Sequence, residues 1–164
     1  MNIIVHTFSG RTVFRPDTTL EPFNRDYYPP EFVNTVLGVP VIYVRISRPG
    51  KSIGEKFSQR YYDSFGRGVL LYPADLLDGS EEGYSSACCL DHTSVLPLPA
   101  RETEGMSAAE RSAVAKALSE VTRCALVRTG DVVAVELGER SVLGCRSDGE
   151  FEVKTGDAEF RVIF

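Results

Sequence analysis

Between Val39 and Ile46 the chain reads VPVIYVRI, apolar and β-branched with only Pro40 and Arg45 out of pattern, which predicts a strand. Arg48-Pro49-Gly50 has turn composition. Ser52-Ile53-Gly54-Glu55 then fits a capping box, and Ile53, Phe57 and Tyr61 recur at helical spacing, so a helix is expected to start there and to end at Gly66. Val69 to Tyr72 reads as a second short strand, followed by a short helix near Ala74-Asp75-Leu76. Upstream, Asn2 to His6 and Arg11 to Phe14 predict two short strands around the turn Phe8-Ser9-Gly10. Pro16 to Pro30 is loop-like and carries Phe23, Tyr27 and Tyr28, either as a binding rim or as anchors for a long loop.

Downstream, Asp78 to Tyr84 is polar, Cys88 to Leu98 ends in a proline-bounded apolar run, and Arg101 to Gly105 is a charged link. Ser107-Ala108-Ala109-Glu110 is a second capping box. The helix it opens should run to about Arg123 and bury Val114, Ala117, Leu118 and Val121. Ala125 to Val127, Val132 to Leu137, Ser141 to Arg146, Phe151 to Lys154 and Phe160 to Phe164 alternate with glycine turns, which predicts an antiparallel meander.

Composition narrows the class. A chain of 164 residues with 43% hydrophobic and 25% charged residues fits one globular domain, 1–164. The net charge of -5, with no basic block, argues against a nucleic-acid partner. No run approaches the roughly 18 apolar residues of a membrane span, so no membrane is expected. The opening Met1-Asn2-Ile3-Ile4-Val5 lacks the basic start and long apolar stretch of a signal peptide. Cys88, Cys89, Cys124 and Cys145 have no C-x-x-C spacing, which favours a reduced, cytoplasmic protein. His6 and His92 are too few for a histidine-rich metal site.

The run GKSIGEKFSQRYYDSFGRG, with the strand after it and Ala74-Asp75-Leu76, resembles the core of the fumarylacetoacetate hydrolase family, closest to its short bacterial members. Val13-Phe14-Arg15-Pro16-Asp17-Thr18 resembles the family's F-x-K-P-D-T segment, and Arg128-Thr129-Gly130-Asp131-Val132-Val133 its K-x-G-D-x-I segment. The resemblance implies an α+β, mostly β fold: a shortened mixed β-roll or sandwich with two main helices, commonly a homodimer.

The same resemblance implies a divalent cation, Mg²⁺, Mn²⁺ or Ca²⁺, held by an E-x-E pair and an Asp. Counting from Gly50, Gly66 and Gly68 puts Val39, Val41 and Leu70 at those three ligand positions. The family's lysine falls near Cys88. The G-R-N-Y-x-x-H segment has no counterpart between Ile4 and Thr12, and Ala134 to Gly138 replaces the T-G-T-P-x-G loop. The resemblance thus implies a fold without its reaction: a degenerate member with no catalytic residue and no cofactor. Its role would be structural, binding or regulatory, and its partner a second copy or a relative. The alternative is a divergent hydrolase or decarboxylase acting on a small oxo-acid.

Four further groups invite a chemical reading. Arg15, Asp91 and His92 match positions near the family's pocket mouth and could hold an anionic small molecule, or simply pair and face solvent. Cys88 with Cys89 and His92 could form a thiol nucleophile with its base, against the plainer reading of a buried cysteine. Glu150 and Glu152, with Asp148, could ligate a cation or line the polar face of a hairpin. Tyr61, Tyr62 and Phe65 could be a stacking platform, but their spacing fits core.

Overall fold

The computed structural model describes residues 1–98 and 100–164. Two strands of twelve residues, β4 (Thr35–Ile46) and β5 (Tyr62–Pro73), pair antiparallel and form the spine. In chain order the other strands are β1 (Ile3–His6), β2 (Thr12–Arg15), β3 (Leu20–Glu21), β6 (Ser94–Val95), β7 (Arg101–Glu102), β8 (Val132–Glu136) and β9 (Ser141–Cys145). The main sheet runs β2-β1-β8-β4-β5-β6-β3, with β9 paired to the first part of β4 and β7 to β5. β1 lies parallel to β8, and β3 parallel to β6, so the sheet is mixed. β10 (Glu150–Thr155) and β11 (Ala158–Ile163) form a separate hairpin, and the α-helices are α1 (Glu81–Ala87) and α2 (Ala108–Cys124). The protein is therefore α+β and mostly sheet.

Side chains of β4 alternate between two packed faces. Ile42, Val44 and Ile46 meet Val114, Ala117, Leu118 and Val121 of α2, the stripe expected from its spacing. Val39, Val41 and Tyr43 point the other way, into a cluster with β1, β5 and β8. The β10–β11 hairpin covers a third cluster that includes Val36, Leu71 and Tyr27. Pro40 survives inside β4 because its side of the strand is shared between partners. β8 pairs with Val41 to Arg45 and β9 with Thr35 to Gly38, so the missing proline N–H falls at the gap between them.

Three expected elements differ. The helix from Ser52 to Gly66 is a six-residue 3-10 segment, Glu55–Arg60, with no side-chain cap. The reason lies at its start: Ser52 N donates to Thr122 O (2.8 Å) and Ile53 N to Thr122 Oγ1 (2.9 Å), so the end of α2 takes the Ser52 N–H that the Glu55 carboxylate would accept in a capping box. Gly66 is a strand residue opposite Tyr43, and a Cβ there would run into the Tyr43 ring. The C-terminal third is not one meander, because β8 and β9 both pair with β4, β8 also adds to β1, and only β10–β11 is a local hairpin. Ala125 to Val127 contributes only a bridge between Val127 and Gly50. The second capping box is present: Ser107 Oγ accepts from Glu110 N, and Glu110 accepts from Ser107 N (2.8 Å).

Candidate functional site

Where β4 and β5 run side by side, Val39 lies directly opposite Leu70 and Val41 opposite Gly68. Opposite residues share a face, so Val39, Val41 and Leu70 make one patch. Each is at most 1% exposed, and the patch is closed by Ile3, Ala87, Cys88, Leu96 and Ala134. Gly68 is required there, because a Cβ would collide with the Val95 carbonyl of the next strand. A hard divalent cation needs a shell of oxygen donors. Three aliphatic side chains offer none, so the residues present do not fit such an ion. Among the described residues no group of three or more His, Cys, Asp or Glu side chains is placed to hold one.

Polar groups border this patch on one side. Tyr72 Oη donates to Glu136 Oε1 at 2.7 Å, and Phe8 N donates to Glu136 Oε2 at 2.9 Å. Burial pushes the Tyr72 hydroxyl well above its ordinary range, so it stays a donor. Arg140 and Arg15 both stack on the Tyr72 ring, at 4.1 and 4.3 Å from its centroid. Arg140 Nη2 donates to Tyr84 Oη at 3.1 Å.

The sequence-derived candidates are only partly brought together. Arg15 is buried: Nη1 donates to Thr93 O (3.2 Å), Thr93 Oγ1 (3.2 Å) and Ser94 Oγ (3.3 Å), and Nη2 to Leu71 O (3.2 Å). Its guanidinium lies beneath the surface and ties β2 to β5 and β6. Asp91 and His92 do share a cleft of about 810 Å³ with Glu21, Arg25, Asp26 and Tyr27. His92 Nδ1 lies 3.4 Å from Glu21 Oε2. Three carboxylates against Arg25 and one histidine make that cleft a poor match for an anion.

Cys88 is 1% exposed, and burial pushes its thiol up, the reverse of what a nucleophilic thiolate requires. No hydrogen bond joins it to His92 among the described residues. Glu150 and Glu152 lie on the exposed side of the hairpin. There Lys154 bridges Glu152 and Glu159, and Asp148 Oδ2 accepts from Cys145 N at 2.7 Å within its own turn. Phe65 and Tyr62 are buried in the cluster under α2 and Tyr61 packs against it, so the three are core. Of the loop aromatics, Tyr27 anchors to the third cluster, whereas Phe23 and Tyr28 are each 66% exposed.

Sequence reasoning missed Tyr72, Glu136 and Arg140. Their association needs the β8–β4–β5 pairing, and no local motif announces it.

No protein-family model matches the sequence, and no curated protein matches it. Solved structures do match the fold. A protein of Yersinia pestis described as a fumarylacetoacetate hydrolase family protein superposes with a TM-score of 0.79 at 15% identity, over 99% of this chain and 92% of that one. Fumarylpyruvate hydrolase of Pseudomonas aeruginosa, solved with Mn²⁺ and pyruvate, gives 0.73 at 11% identity over 100% and 90%. The 5-carboxymethyl-2-hydroxymuconate delta-isomerase of Mycobacterium smegmatis gives 0.77 at 12% identity over 99% and 76%. This chain has the fold of the fumarylacetoacetate hydrolase family.

Proposed function

We propose that this chain keeps the fumarylacetoacetate hydrolase fold without its metal-dependent reaction, and serves a structural, binding or regulatory role as a homodimer or beside a relative. One observation carries the reading: Val39, Val41 and Leu70, the positions to which the family's three carboxylates count, are packed in one cluster and each at most 1% exposed. Replacement type matters here. A cation site that had only drifted would leave Asn, Gln or His, whereas three aliphatic side chains each stabilise the fold by roughly 1.5–3 kcal/mol when buried. The test is a titration of purified protein with Mg²⁺ or Mn²⁺ while following melting temperature. No saturable shift is expected, because nothing in the patch distinguishes folded from unfolded chain to a cation.

The second reading, a divergent hydrolase or decarboxylase of a small oxo-acid, draws on Glu136, Tyr72 and Arg140 beside the patch. It calls for a saturable metal shift, strengthened by a carboxylate such as pyruvate.

A further inference from the structure

On the outer side of the filled patch, the β1–β2 turn, the β8–β9 turn and α1 close on a cleft of about 440 Å³, whose lining includes Arg11, Arg140, Tyr84, Ser9 and Glu81. Leu77 and Tyr84 form its inner wall and pack against the Val39–Leu70 cluster. Two guanidiniums on one cleft run against the character of a chain whose net charge is -5.

We propose that this cleft binds a phosphate group carried by a small molecule, with Arg140 as the fixed contact and Arg11 as the contact at the rim. Arg140 is already oriented: its guanidinium lies 4.1 Å from the Tyr72 centroid and 5.0 Å from that of Tyr84, and Nη2 donates to Tyr84 Oη. A side chain held this way loses little freedom on binding. Among the described residues no carboxylate lies within ion-pair distance of it, although Glu136 acts on it from further off. Neither Arg140 nor Arg11 has an ion-pair partner among the described residues. The nearby buried carboxylate, Glu136, takes its hydrogen bonds from Tyr72 Oη and Phe8 N and makes none to Arg140 among the described residues. Arg140 Nε is buried without a hydrogen-bond partner, so the protein leaves this guanidinium incompletely satisfied. A half-buried guanidinium with no carboxylate at ion-pair distance gains from an incoming anion.

Phosphate is favoured over carboxylate by the number and origin of the donors. The two guanidiniums come from separate turns. A flat carboxylate is satisfied by one fork, whereas a phosphate monoester offers three terminal oxygens and a charge of about -1.5 to -2 to two. Ser9, in the same turn as Arg11, lines the cleft with a further hydroxyl, which lies 3.0 Å from Thr7 Oγ1. Glu81 is the opposing charge, but it is exposed at the start of α1 and can turn to solvent.

The inference goes beyond the loss of metal chemistry and does not depend on it, so its test is run in EDTA. Inorganic phosphate is titrated against melting temperature, with chloride matching ionic strength and acetate as the carboxylate probe. A saturable rise of about 2 °C or more with phosphate, and none with acetate, is expected. Arg11→Gln should leave the melting temperature of the free protein unchanged and raise the half-saturating phosphate about tenfold, the worth of one charge-assisted contact. Arg11→Lys should recover part of the loss, and Arg140→Gln should abolish the response. A linear, unsaturated rise, a response identical in Arg11→Gln, or a saturable response to acetate as large as that to phosphate would each overturn the proposal. Because Arg11 is exposed and outside the core, a folding defect at Arg140 does not decide the outcome.

Discussion

Leu70 has no solvent contact and faces Val39 across the β4–β5 pair. Leu70→Ala should leave a void that the twelve-residue strands on either side cannot collapse into, at a cost of about 2–5 kcal/mol in urea unfolding. Leu70→Asp, which restores a single family-type carboxylate without its partners, should cost more, since the charge would be buried and unpaired. His6 provides a second residue-level test. Burial holds its pKa below the ordinary 6.5, and its Nδ1 has no hydrogen-bond partner. The unfolded chain therefore binds the proton first as pH falls. The stability this neutral histidine contributes is complete above about pH 6.5 and is lost as pH drops from there toward its lowered folded value. Melting temperature should decline through that window, and His6→Leu should flatten the decline. At this scale the apolar replacements at Val39, Val41 and Leu70 were legible, because the surrounding glycines fix the count. The burial of Arg15 was not. An arginine reads as surface, and its acceptors Leu71, Thr93 and Ser94 lie far along the chain.

Elements whose signals are local came through. The α2 helix begins at the capping box and buries the stripe its spacing predicts. Ser107→Ala should lower stability by about 1 kcal/mol, measured by thermal or urea unfolding, because the Glu110 amide loses its acceptor. Glu110 also pairs with Arg67 of β5 at 2.6 and 3.0 Å, so the same turn fastens the helix to the sheet. Elements whose fate depends on distant partners were misread. Ser52 carries the right residue types for a cap, yet its backbone is claimed by Thr122 and adopts a φ of 53°. Gly66 carries the right type for a helix stop, yet it serves as the space that the Tyr43 ring occupies.

For the whole molecule, the mixed, mostly β fold followed from the resemblance, while the pairing of the last strands did not. A run of short strands and glycine turns suits a meander, but β8, late in the chain, is captured between β1 and β4, both from its N-terminal third. That capture brings Glu136 to Tyr72 and carries the next turn, with Arg140, over the same ring. The fold has thus set a polar, arginine-bearing cleft against the outside of a closely packed aliphatic patch. Whether that patch can still take a cation is read most directly by electron paramagnetic resonance of free Mn²⁺ titrated into the protein. The account predicts that the free-ion signal is the same with and without protein at every concentration. A stoichiometric loss of that signal, reversed by Mg²⁺, would contradict it.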